Sequence, residues 1–184
     1  MSQFTPLNVE QSVAKYLSTQ FQGLGNKIYW HDTEQTEGSG SVEVTLLRTF
    51  PTDPTLLVSQ STTREVGMIK VPAFAIFMDR PETGEADRMG IGESLFEWSA
   101  SIRIDGFVDS ELEWYKYHNL FKDWFHIDVR IDLYDYEADI NSTDPSLAPN
   151  KLHLNSTQVF RRELDYTNAA RYYIFLSTTV TYIE

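Results

Sequence analysis

Cysteine is absent from the chain, which excludes disulfide stapling, thiolate nucleophiles and every zinc site that needs a cysteine ligand. Cations are scarce, with 15 Lys and Arg against 27 Asp and Glu and a net charge of -12. Such a surface repels phosphate backbones, so sequence-specific nucleic-acid binding is not expected; an acidic surface keeps a protein soluble or lets nucleic acid pass without adhering. Long hydrophobic runs are missing as well. No stretch approaches the roughly 20 apolar residues that span a bilayer. The opening Met1-Ser2-Gln3-Phe4-Thr5-Pro6 has no basic region leading into an apolar one, so neither a membrane segment nor a secretory leader is expected.

Familiar catalytic spacings are also lacking. His118 and His126 lie eight residues apart on a predicted helix, roughly 12 Å along its axis and too far to share one metal. Asp128 and Asp132 share a strand face, but Arg130 between them points to a solvated salt-bridge row rather than a cation site. Gly90-Ile91-Gly92-Glu93 precedes a strand instead of following one, and puts an acid where phosphate would sit. No G-x-S-x-G or H-E-x-x-H pattern occurs. The reading therefore assigns no catalytic residue, no cofactor and no metal. Carboxylates such as Glu85 and Asp87 acting in an enzyme are the weaker alternative.

What the chain does carry is periodicity. A length of 184 residues with 41% hydrophobic content fits one globular domain, residues 1–184. Phe96, Trp98, Ala100, Ile102 and Ile104 alternate with polar Glu97, Ser99, Ser101, Arg103 and Asp105, the period of a strand with one buried face. Ser110-Glu111-Leu112-Glu113 is a capping box. It opens a helix whose Trp114, Tyr117, Leu120, Phe121, Trp124 and Phe125 form one aromatic stripe. Val129, Ile131 and Leu133 then alternate as a second half-buried strand.

Upstream, Thr5-Pro6 starts a helix with apolar Val9, Val13, Tyr16, Leu17, Phe21 and Leu24, stopped by Gly23 and Gly25. A short strand over Lys27–His31 follows, then an acidic, Gly-rich loop or hairpin connection over Thr33–Gly40. Further strands are expected over Val42–Leu47, Thr55–Gln60 and Val71–Met78, the last continuously apolar and covered on both faces. Asp79–Gly92, with six charged residues, reads as a long loop, and Glu137–Asn150 as another. Leu152–Arg162 and Arg171–Ile183 close the chain as a hairpin, with apolar groups on both faces of its last strand, so that one side meets a partner or a second layer. The expectation is an α+β fold: a mainly antiparallel sheet with N-terminal and central amphipathic helices packed on one face.

This order of elements, together with Val71-Pro72-Ala73-Phe74-Ala75-Ile76 and the charged lead into Glu93–Asp105, resembles the tail terminator, or tail-completion, family of neck proteins of tailed bacteriophages. The resemblance runs over residues 7–136, with the hairpin 151–183 as an addition. It implies a virion structural protein, assembled in the host cytoplasm, whose copies form a ring, commonly six-fold. The ring ends tail-tube growth, docks the head and lets DNA through its lumen. Expected partners are other copies of the chain, a tail tube protein, a sheath and a head connector. Heterologous side surfaces are then sought in exposed strand edges and long loops, which nominates Glu34, Glu37, Arg80, Glu82, Glu85, Asp87 and Arg88, with Tyr172 and Tyr182 on the terminal hairpin. Other readings are a head–tail connector or baseplate part, or a module that stacks sugars on Tyr134, Tyr136, Tyr172 or Tyr182.

Overall fold

Two helices and a long sheet dominate the computed structural model, which describes residues 4–78, 82–83, 97–126, 128–139, 142, 144–163 and 172–183. Helix α1 spans Pro6–Gly23; the Thr5 hydroxyl accepts the Asn8 N–H at 3.3 Å, and proline occupies the first turn, where its missing donor costs nothing. Gly25, at φ +77, turns the chain out of the helix, and the Asn26 side chain donates to the Phe21 carbonyl at 3.1 Å. Leu24, placed by its spacing on the apolar stripe, lies beyond the last turn and is exposed.

Strands β1 (Lys27–Trp30), β2 (Gln35–Glu37) and β3 (Glu43–Leu47) follow. The expected connection over Thr33–Gly40 is thus a hairpin whose return strand forms one end of the sheet. A 3-10 turn at Pro54–Leu56 leads into β4 (Leu57–Val58), shorter than the expected Thr55–Gln60 strand, which pairs with β5 (Ile69–Lys70) as a small separate sheet. Then come β6 (Ala73–Met78), β7 (Glu82–Thr83), β8 (Glu97–Val108), α2 (Glu111–Trp124), β9 (Arg130–Asp135), β10 (Ser146–Glu163) and β11 (Tyr172–Ile183). The second long loop is shorter than expected, because Ser146 and Leu147 already pair with Asp135 and Tyr134.

Spatial order in the main sheet is β2-β1-β3-β6-β8-β11-β10-β9, with β7 added on β8. The β1–β3 and β3–β6 pairs are parallel and the rest antiparallel. The fold is α+β, with a largely antiparallel mixed sheet and both helices on one of its faces. The closing hairpin is not an addition outside residues 7–136: β10 and β11 lie between β8 and β9. The strand–helix–strand unit therefore crosses two strand positions, and α2 covers the hairpin that fills them.

The main core lies between that face and the helices. Phe21 stacks on Phe74 at 5.3 Å and meets Tyr117 and Trp124 edge-on, and the Tyr16 hydroxyl donates to the Trp124 carbonyl at 2.8 Å, locking α1 to α2. Gly106 permits this arrangement, since a Cβ there would sit 2.6 Å from the Phe74 ring. In the capping box, Ser110 Oγ accepts the Glu113 N–H at 3.2 Å, while Glu113 reaches back one residue beyond the cap to the Asp109 N–H at 3.3 Å.

A second, smaller core lies on the opposite face, where residues 48–71 fold over the β3–β6 end. Leu57, Ile69 and Val71 pack there on Leu47, Ala73, Ala75, Phe107 and Tyr173. This cover is why every residue of β3 is buried, polar Glu43 and Thr45 included. Thr45 Oγ1 donates to the Lys70 carbonyl at 2.8 Å. Glu43 pairs with Arg64 and with Lys27, the latter at 3.5 Å. The Gln60 amide donates to the Glu43 and Val71 carbonyls at 2.6 Å each.

Candidate functional site

α1 carries a second stripe, polar and at helical spacing: Asn8, Gln11, Ser12, Lys15, Ser18 and Gln22. In sequence this looks like a solvent face, yet Asn8, Gln11, Ser12 and Ser18 are buried. Asn8 Oδ1 accepts the Tyr136 N–H at 2.8 Å and Ser12 Oγ accepts the Tyr134 N–H at 2.9 Å. Helix side chains thus stand in for a missing strand along the β9 edge. On the other side Ser18 and Gln22 donate to Glu37 of β2 at 3.2 and 3.1 Å, and Gln11 accepts from Arg48 at 3.4 Å.

These contacts require a curled sheet. Eight strands in line would hold β2 and β9 roughly 34 Å apart if flat, at about 4.8 Å per spacing. Yet Tyr136, one residue past β9, lines the same cleft as Glu37 of β2. The sheet wraps, and α1 fills the seam between its edges. The exposed edges sought for oligomer contacts are therefore not both open, since side chains of α1 already occupy amides of β9.

The cleft lies in this seam. It has a volume of about 180 Å³ and is lined on one side by Gln11, Lys15, Ser18, Thr19 and Gln22, and on the other by Trp30, Thr33, Gln35 and Glu37, with Arg48, Tyr136 and Ser142 completing it. Lys15 Nζ sits 4.2 Å from the Tyr134 ring centroid. Trp30 Nε1 is buried with no hydrogen-bond partner among the described residues. Arg48 pairs with Asp32 at 3.1 Å. Burial lifts the Asp32 carboxyl above the ordinary range, against the pull of Arg48. Burial, with Tyr134 and Glu37 nearby, pushes the Tyr136 hydroxyl up to about 12, so it remains a donor at neutral pH. Beside the cleft, Glu10 accepts the Met78 N–H at 2.7 Å, and burial raises its carboxyl above 4.5.

A second feature occupies the face opposite the helices, beside the 48–71 cover, whose Phe50 ring lies 6.5 Å from that of Tyr173. Phe160 and Phe175 pair across β10 and β11, with ring centroids 5.7 Å apart. The Arg103 guanidinium lies 4.7 Å over Phe175. Phe160 is 48% exposed, and the Arg103 side chain 44%. Beneath them Asp105 is 1% exposed, bound by Arg103 at 2.9 Å and by the Tyr173 hydroxyl. Its alternation suggested a solvent position. It is wet-face in register but is capped by its own cation and a tyrosine, whose hydrogen bonds both reach Oδ1, and a buried carboxylate requires such a charge partner. Burial raises the Tyr173 hydroxyl well above its usual range.

The nominated contact residues scatter. Glu34 is exposed at φ +54, and Glu37 belongs to the cleft. Glu82 lies in β7, opposite Ser99. Arg80, Glu85, Asp87 and Arg88 lie outside the described residues. Tyr172 is half-buried against the main core. Tyr182 is corrected outright: it is 1% exposed and stacked on Phe4 at 5.9 Å, because its strand parity turns it under the helices. Tyr136 is likewise buried and Tyr134 lies under Lys15, so the sugar-stacking set does not form one open platform. Asp132 takes Lys151 of β10 as its cation at 2.8 Å, rather than belonging to a row through Arg130. His118 stacks on Trp114 at 4.7 Å. Among the described residues no three acidic or histidine side chains cluster as metal ligands, and no helix is long and apolar enough to cross a membrane.

Trp30, Arg48, Arg103 and Phe160 were not nominated from sequence, because none belongs to a spaced motif. Only the two-faced hydrophobicity of the last strand hinted at the Phe160–Phe175 surface. No protein-family model matches the chain, and no curated protein matches it.

Proposed function

We propose that this chain is a structural protein of a tailed-phage neck, copies of which form a ring, six-fold being favoured, that ends the tail tube and joins it to the head. It acts through shape and contacts and transforms no substrate. One observation carries the reading furthest: the Phe160–Phe175–Arg103 surface, an aromatic and guanidinium patch beside the 48–71 cover in which Phe160 is 48% exposed and the Arg103 side chain 44%. An exposed aromatic beside an arginine is the composition of protein interfaces, and the β9 edge is occupied in part by α1 side chains. The contact between copies is assigned to this face, meeting a different surface of the next subunit as closure by rotation demands. The acidic charge suits a lumen through which DNA passes without adhering. Resemblance in element order supplies the neck role. A phage lacking the gene is expected to make overlong or headless tails; fully joined particles with tails of normal length would overturn the terminator role.

A further inference from the structure

The seam cleft has the wall chemistry of a carboxylate receptor. Among its described lining residues Lys15, Arg48, Tyr136 and Trp30 offer donors, and the one carboxylate is Glu37. That carboxylate is engaged from within by Ser18 and Gln22. The Trp30 indole N–H can only donate, is buried, and has no acceptor among the described residues. As a residue of the cleft wall, Trp30 places this N–H where it reports on what the cleft holds. Lys15 has no carboxylate partner among the described ion pairs; the Tyr134 ring beneath it steadies the ammonium without neutralising it. In a chain of net charge -12, a concavity holding an ammonium with no carboxylate partner among the described ion pairs runs against the average of the surface and favours an anion. Its volume of about 180 Å³ suits a small acid or one side chain, given that a cavity of about 150 Å³ takes benzene.

We propose that this cleft binds a carboxylate group, from a small free acid or from an acidic side chain of a second copy of this chain, with the Lys15 ammonium as its main donor and Trp30 in its wall as the reporter. The second source rests on the oligomeric reading above; the first is independent of it.

The test follows the Trp30 indole N–H resonance of the full-length, nitrogen-15-labelled protein, identified with Trp30→Phe. At constant ionic strength, succinate is expected to shift this resonance saturably and succinamide to leave it in place. Lys15→Gln is expected to weaken the succinate response roughly tenfold, the loss of one charge-assisted hydrogen bond. Without added acid, a shift that follows protein concentration and vanishes in Lys15→Gln identifies the second copy as the source. A resonance unmoved in both arms, or moved equally by succinamide, overturns the assignment. Oligomer mass read on the same samples separates the two ideas. A monomer that still answers succinate keeps the cleft, and a ring whose Trp30 is unresponsive rejects the cleft alone.

Discussion

Gly106 is the residue on which the aromatic core turns. Any side chain there would meet the Phe74 ring at 2.6 Å and Ile174 at 3.3 Å, and Phe74 is held between Phe21, Tyr117 and Phe121. Gly106→Ala is expected to cost about 1–3 kcal/mol as overpacking, read as a lower urea midpoint with an unchanged slope. Glu10 shows the converse, a group that opposes folding once charged. Burial raises its carboxyl above the ordinary 4.5 in spite of the Met78 N–H and Arg48. The native state therefore binds the proton more tightly than the unfolded chain, and stability falls as pH rises from 4.5 through the folded value. Glu10→Gln keeps an oxygen for Met78 and removes that charge. It is expected to flatten the decline and to melt higher than the parent at neutral pH, whereas unchanged pH profiles from the two proteins would contradict the account.

Among the elements, the helices were the most legible in sequence, because a stripe of period 3.6 and a cap residue are local signals. Thr5 and Ser110 cap where their hydroxyls implied, and Val9, Val13, Leu17 and Phe21 are all fully buried. Long strands were legible from alternation for the same reason. What stayed hidden was set by partners distant in sequence. Glu43 and Thr45 alternate like surface residues, but the 48–71 cover buries them. Asp105 does the same and takes a hydrogen bond from the Tyr173 hydroxyl, 68 residues away. Nothing local says that the last hairpin enters the sheet between β8 and β9. The cleft was hidden most completely, since the polar stripe of α1 acquires its role only when the sheet curls. Asn8→Ala removes the acceptor of the Tyr136 N–H and is expected to cost about 1–3 kcal/mol, the penalty of an unsatisfied buried donor. Hydrogen exchange should rise at Tyr136 ahead of β9 itself, and unchanged protection there would show that α1 does not hold the end of that edge.

At the scale of the whole molecule, the same wrapping that makes the seam leaves one region with little cover among the described residues. α1 and α2 fill the concave face, residues 48–71 cover one end of the convex face, and Phe160, Phe175 and Arg103 lie on the remainder. A chain of net charge -12 brings like charges together when copies assemble, so association is expected to strengthen as salt screens them. Assembly through the aromatic patch, which is apolar at its centre, would survive that screening; assembly held only by charge pairs would weaken.

The account is tested most directly by native mass spectrometry of the full-length protein beside Phe160→Asp, with circular dichroism to show that both are folded. Phe160 is half-exposed, so the substitution leaves the core intact. A closed ring of identical subunits for the parent, reduced to monomer by an aspartate on that face, is the predicted result. A folded parent that stays monomeric across concentration and salt, or a ring that Phe160→Asp leaves whole, would contradict it.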